Sequence, residues 1–297
     1  MRHAKTLVQS MRIPFLLLTP ACVFLGATIA ISQGTSIDLA SLALVFLGAL
    51  SAHISVNTFN EYHDFSSGLD LTTTRTPFSG GSGALPHDPA GSQTVLAMAL
   101  ASLAMSMAIG AFFLWKFGLG LLPLGLAGLL LIVTYTGRIN RYPLLCLIAP
   151  GLGFGVLMVV GTQFILSGEY ARVAWLIALI PFLLVNNLLL LNQYPDIQPD
   201  AAVGRNHLPI AYGTRNSTRV YALFVVSTVV AVTVYVLAGY LPMFSLIALL
   251  PMPLAFVALY GAIKHGESIG DFPQYLAANV AAALLTPLLL GLSIVYG

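Results

Sequence analysis

Nine apolar stretches, each long enough to cross a bilayer, fill most of this 297-residue chain. A helical span needs roughly 17 to 25 mostly apolar residues. Such runs lie at about 12–32, 38–60, 92–115, 118–136, 144–167, 172–193, 217–239, 241–262 and 274–295. Backbone in lipid is satisfied only within helices or closed barrels, and runs of this length select helices. The expected fold is therefore all-α: a polytopic membrane protein with nine transmembrane helices in a bundle. Charged residues make up 7% of the chain, against about a quarter in soluble domains, too few to coat a water-soluble globule. No basic cluster offers a footprint for nucleic acid.

The few cations set an expected orientation. Arg2, Lys5 and Arg12 precede the first stretch, Arg75 follows the second, Arg138 and Arg141 the fourth, Arg205, Arg215 and Arg219 the sixth, and Lys264 the eighth. Only Lys116 and Arg172 fall on the other side. By the positive-inside bias the N-terminus and the charged connections are cytoplasmic and the C-terminus is outside, in a membrane expected to be a prokaryotic plasma membrane. The first stretch follows basic residues as a signal peptide would, but it lacks a convincing small-residue cleavage site and reads as a retained span.

Familiar catalytic signatures are missing. Cys22 and Cys146 both sit in or beside apolar stretches and read as buried small residues rather than a disulfide. No cysteine and histidine pattern has zinc spacing. There is no P-loop, dinucleotide fingerprint or nucleophile elbow. The run GGSG at 80–83 reads as a flexible connection.

The acids are more informative. Of ten, five occupy two short strings: Glu61, Asp64 and Asp70 in NTFNEYHDFSSGLD (57–70), and Asp196 and Asp200 in NQYPDIQPD (192–200). Each string begins at the same end of an apolar stretch, the second and the sixth. Asn60 and Asp64 are one helical turn apart and share a face if the helix continues that far. Asn192, Asp196 and Asp200 repeat the step, although Pro195 and Pro199 imply a bent or broken helix there. The strings share the pattern NxYxD: Asn60, Tyr62 and Asp64 against Asn192, Tyr194 and Asp196. Four spans separate them, as two related halves would give. The remaining acids, Asp38, Asp88, Glu169, Glu267 and Asp271, read as caps or solvated loop residues. Carboxylates near bilayer depth are costly and tend to mark function. Two such clusters meeting at one end of a bundle make a strongly negative pocket. Carboxylate and amide oxygens without imidazole or thiolate favour magnesium completed by substrate phosphates. Arg75 lies five residues past Asp70 and Arg205 five past Asp200, so acid, metal and arginine together describe a diphosphate site.

At these residues the sequence resembles the UbiA superfamily of intramembrane prenyltransferases. NEYHDFSSGLD is similar to the first aspartate-rich motif and NQYPDIQPDAAVGRNHLPI to the second. The likeness extends through RIPFLLLTP, YTGRINRYP and GLGFGVLMVVGTQFILSG. The six-residue step from Asp64 to Asp70, with Gly68 between, is similar to the branch that prenylates 1,4-dihydroxy-2-naphthoate on the route to menaquinone, a quinone. Three positions depart from common family residues: Glu61, often Asp; Arg205, often Lys; and His207, often Thr.

The resemblance implies one UbiA-like domain over 1–297, with pseudo-repeated halves at about 12–136 and 144–262 and a last span at 274–295. It implies Mg2+ held by Asn60, Asp64, Asp70, Asn192, Asp196 and Asp200, with Arg75 and Arg205 beside Asn60 and Asn192 on the diphosphate of a polyprenyl substrate. Departure of the diphosphate leaves an allylic carbocation, for which Tyr62, Tyr194 and Phe59 offer π faces. An aromatic or other lipophilic acceptor then attacks. Haem, a chlorophyll-type alcohol, a glycerol phosphate ether lipid, or an internal alkene as in a terpene cyclase would serve the same ionisation. A cation-coupled transporter is the rival from a different class. His53 reads either as an acceptor-orienting group or as a buried helix histidine, and Asn57 as support for Asn60. Asn186 and Asn187 read as interhelical hydrogen bonders, and Gly153 and Gly155 as sites of close helix packing. Arg138 and Arg141 read as topological charges.

Overall fold

The computed structural model describes residues 2–297, with side chains from Ala4 onward. Among these residues the fold is helical, without strands. Eight helices are long and apolar enough to span a membrane: α1 (Ile13–Ser32), α2 (Leu39–Ser66), α3 (Pro89–Phe117), α5 (Pro143–Ser167), α6 (Arg172–Asn192), α7 (Leu208–Leu237), α8 (Met243–Asp271) and α9 (Pro273–Tyr296). A ninth apolar helix, α4 (Leu119–Thr134), is shorter. Gly118, at φ 77°, separates α3 from α4.

Helices α2, α7 and α8 run several residues past their apolar stretches, α8 ending at Asp271 rather than near 262. Asp38 caps α2, accepting from the backbone N–H groups of Ala40 and Ser41. The helix then continues six residues past the apolar run and ends near Gly68 at φ 80°. That extension puts His53, Asn57, Asn60 and Asp64, at steps of four, three and four, on one stripe. Helix α7 begins at Leu208 rather than near 217 and bends at Gly213, φ 76°. In contrast α6 stops at Asn192. Pro195 breaks the chain, and a separate short helix, Ile197–Ala202, carries Asp200.

The largest core joins α1, α5, α6, α7, α8 and α9, with α2 and α3 paired alongside. Asn186 Oδ1 accepts from the Gly151 N–H at 2.6 Å, and Asn187 Nδ2 donates to the Tyr221 carbonyl at 3.0 Å. Both asparagines are therefore interhelical bonders, as expected. Asn279 Nδ2 donates to the Asn187 carbonyl, and Tyr221 donates to Asn279 Oδ1, which ties α6, α7 and α9 together.

Glycine use in α5 differs in one respect from expectation. A Cβ on Gly155 would overlap the Phe182 backbone, and one on Gly151 would overlap the Phe182 carbonyl and the Asn186 side chain. On Gly153 it would meet only Leu131 Cδ1, at 4.0 Å. The close contact with α6 is thus made by the four-residue pair Gly151 and Gly155, whereas Gly153 faces the cavity beside α4. Here α5 is a π-helix, Leu152–Met158, directly after Pro150. Pro150 lacks an N–H, and a widened turn of this kind accommodates the missing bond. Gly155→Val should destabilise the protein by about 1–3 kcal/mol through overpacking, while Gly153→Ala should stay within about 0.5 kcal/mol of wild type. Thermal unfolding of both variants in detergent checks this contrast.

Candidate active site

At one end of the bundle a cavity of about 430 Å³ runs from the acidic strings into apolar surroundings. The stripe on α2 forms one wall, with His53, Asn57, Asn60 and Asp64 all lining it. The end of α6 and the break after it supply Asn192, Asp196 and Asp200, and the segment after α2 supplies Asp70. Deeper in, side chains of α3, α4 and α5 make an apolar chamber that includes Phe113, Leu124, Ile132, Phe154 and Leu157.

Arg205 holds the two acidic strings together. Gly204, at φ 81°, turns the chain back so that the Arg205 guanidinium lies between them. Its Nη1 bonds Asp200 Oδ1 at 2.9 Å, and its Nη2 bonds Asp64. His207 Nε2 approaches the other Asp200 oxygen at 3.0 Å, so both oxygens of Asp200 have protein partners. Other oxygens in the cavity do not. Asp70 Oδ2, Asn192 Oδ1 and Asp196 Oδ1 are buried without a hydrogen-bond partner. The second Asp196 oxygen accepts from the Gly80 N–H at 3.0 Å.

Buried oxygens without donors are expensive unless something positive meets them. Among the described residues no three acidic, histidine or cysteine side chains converge as a ready cage. That arrangement suits magnesium, which binds through one or two carboxylates and takes its remaining ligands from water and phosphate. All donors here are hard oxygens, so the residues fit such an ion. Asn60 lines the same wall, with its amide nitrogen 3.5 Å from Thr136 Oγ1.

Several residues singled out from the sequence stand elsewhere. Arg75 is not on the cavity wall. Its Nη1 lies 3.3 Å from His87 Nε2, and the backbone of Gly83 passes too close beside it to admit a Cβ. Tyr62, Phe59 and Tyr194 also lie off the wall. A residue two past Asn60 points nearly opposite on a helix, and Tyr62 accordingly sits half-buried beside the His63 ring. Tyr194 is fully buried in packing, its hydroxyl 2.9 Å from Thr218 Oγ1. The π faces that line the cavity are Phe15, Phe78, Phe113, Tyr135 and Phe154. Arg138 and Arg141 are exposed and lie off the cavity wall. His53 takes Thr19 Oγ1 at 2.8 Å on Nδ1 and sets its ring edgewise on Phe154.

A model of the UbiA prenyltransferase family matches residues 18–280. The chain belongs to that family. It is similar to the 1,4-dihydroxy-2-naphthoate octaprenyltransferase of Escherichia coli, at 28% identity over 97% of this chain and 94% of the relative. The protein of the same description from Bacillus subtilis is 26% identical over 82% of this chain and 77% of its own length. Among solved structures, a UbiA homolog from Archaeoglobus fulgidus bound to DMAPP and Mg2+ covers 98% of this chain, with a TM-score of 0.68 and 16% identity. An apo UbiA homolog from Aeropyrum pernix covers 96% with a TM-score of 0.69 and 18% identity. These likenesses show the fold. The protein is thus a UbiA-type intramembrane prenyltransferase.

Three parts of this UbiA site escaped the sequence reading. Arg12, taken there as a topological charge, lines the cavity and pairs with Glu61 at 2.8 Å. Tyr135 lines it from the end of α4. The glycine run at 80–83 is not merely a flexible connection. Gly80 donates to Asp196, and a Cβ on Gly81 would come within 2.6 Å of Asp70 Oδ1. Three glycines in four residues were the available signal for a built loop, and all three adopt positive φ.

Burial, reinforced by neighbouring Glu61 and Asp64, pushes the Asp70 carboxyl up to about 7. Burial and Asp200 push Asp196 up to about 7 as well. Below that pH both hold protons that a cation must displace, so divalent affinity should fall at about pH 6 and level off above about pH 8. Calorimetric titration of the UbiA protein with magnesium at those two pH values should show weaker binding at the lower one. Equal affinity at both would contradict the coupling.

Proposed function

We propose that this UbiA prenyltransferase transfers a polyprenyl group from its diphosphate to an aromatic acceptor, 1,4-dihydroxy-2-naphthoate, as in menaquinone biosynthesis. The observation that carries the reading is the set of bare oxygens on Asp70, Asn192 and Asp196 at the polar end of an otherwise apolar chamber. The 1,4-dihydroxy-2-naphthoate octaprenyltransferases of Escherichia coli and Bacillus subtilis support the acceptor and the tail class. The DMAPP and Mg2+ bound by the Archaeoglobus relative support the metal and the allylic diphosphate.

In this reading Asp70, Asn192 and Asp196 hold magnesium, with Asn60, Asp64 and Asp200 closing the same polar end. Bound there, the ion would supply the positive charge that makes the diphosphate a better leaving group. Arg205, already placed between Asp64 and Asp200, supplies a fixed positive fork beside the departing anion. The hydrocarbon tail lies in the chamber walled by α3, α4 and α5, which also excludes water from the allylic cation. Tyr135 and Phe154 take the role of π faces, in place of Tyr62 and Tyr194. A ring carbon of the acceptor attacks the cation with a pair of ring electrons, and aromaticity returns when the carboxylate on that carbon leaves as CO2 and its bonding pair goes back to the ring. The polar end faces the cytoplasm, a placement supported by the ten cations on that side.

Purified protein supplied with labelled geranylgeranyl diphosphate, magnesium and 1,4-dihydroxy-2-naphthoate should form a prenylated naphthoquinol. Asp64→Ala or Asp196→Ala should cut diphosphate release by about 100-fold or more. Near-normal turnover by both variants would refute the assignment. Turnover only with another acceptor, such as a haem or a glycerol phosphate, would retain the ionisation site and reject the naphthoate.

A further inference from the structure

Glu61 stands apart from the other acids of its string. Asp64 and Asp70 border the cavity, whereas Glu61, one residue past Asn60 and so turned about 100° round the helix, does not. Its side chain is 0% exposed, and both its oxygens are used. Oε1 accepts from Arg12 Nε at 2.8 Å and from the Ser82 N–H at 2.9 Å, and Oε2 accepts from the Ser82 hydroxyl. One carboxylate therefore joins three segments: the turn before α1, the polar extension of α2, and the glycine loop.

Both partners are themselves aimed at the site. Arg12 has φ 53°, the single positive φ outside glycine among the described residues. Such backbone strain persists only where the surroundings enforce it. Arg12 borders the main cavity and also a second cavity of about 370 Å³ between Val8–Phe15 and the loop. Nε is spent on Glu61, while among the described residues its two Nη groups make no hydrogen bond to protein. Ser82 belongs to the loop whose Gly80 N–H reaches Asp196 and whose Gly81 abuts Asp70. An ion pair kept only for stability would need none of these placements, since a buried pair is weak evidence for stability.

We propose that Glu61 is a positioning residue for substrate capture. It holds Arg12 with the Nη pair turned to the anionic head of the substrate, and it fastens the 79–83 loop against Asp70 and Asp196. The proposal rests on the reading of the cavity as a prenyl diphosphate site. Glu61→Gln preserves volume and removes the charge that orients Arg12. It should raise KM for geranylgeranyl diphosphate about tenfold and leave kcat within about threefold, the pattern of lost binding rather than lost chemistry. Because part of the Glu61 effect passes through Arg12 and part through Ser82, the double variant Glu61→Gln with Arg12→Ala should raise KM above Arg12→Ala alone but by clearly less than the product of the two single penalties. Should Glu61→Gln not fold, Ser82→Ala carries the loop half of the claim and should raise KM with kcat preserved.

An unmoved KM in Glu61→Gln, independent multiplying penalties in the double variant, or a fall in kcat without a rise in KM would each overturn the clamp. In those outcomes wild type still consumes the diphosphate, and the proposed function stands. Wild type that consumes no allylic diphosphate overturns both.

Discussion

Like charges crowded at the end of an apolar bundle repel one another and are poorly solvated, and the arrangement of this protein follows from how that cost is met. Glu61, Asp64, Asp70 and Asp200 are each almost fully buried. In a medium of low polarity a carboxylate persists only with a cation, a set of N–H donors or a proton. Arg205 answers for Asp64 and Asp200, Arg12 and Ser82 answer for Glu61, and Gly80 answers for half of Asp196. What is left over, one carboxylate oxygen each on Asp70 and Asp196 and the amide oxygen of Asn192, is what the protein itself does not satisfy. A site for a divalent cation and a phosphate-bearing substrate is the natural remainder of that distribution.

The fold brings this about with few devices. Continuing α2 as a polar helix past its apolar run carries Asn60 and Asp64 to the rim on one face, while breaking α6 at Pro195 lets Asp196 and Asp200 approach from a different direction. Gly204 then reverses the chain so that a single guanidinium spans both strings. On the apolar side, Gly151 and Gly155 draw α5 tightly onto α6. The short α4 shares its few contacts among the π-helical turn of α5, α2 and the end of α3. Tight packing on one flank and loose packing on the other leave the chamber between them.

Apolar run length identified the helices because lipid forces every spanning backbone to satisfy itself. The boundaries of α2, α7 and α8, set by residues outside the apolar runs, departed by several residues. The acidic strings could be located because charge is so scarce elsewhere. Partnerships were another matter. Nothing in the spacing of Arg75 and Arg205 from their acids distinguishes them, yet one bridges both strings and the other turns to His87. The NxYxD likeness was read as placing both tyrosines at the site, although a two-residue step on a helix turns Tyr62 away. Arg12 is forty-nine positions from Glu61, and no local pattern reports a contact of that range.

The central claim is that the oxygens left bare by the protein are the ones that hold the metal. A structure solved with Mn2+ and a non-hydrolysable allylic thiolodiphosphate tests it most directly through the anomalous signal of the metal. The account predicts density within about 2.2 Å of oxygens of Asp70 and Asp196, with Asn192 alongside and the diphosphate completing the shell. Metal bound elsewhere, with those oxygens still without partners, would contradict it.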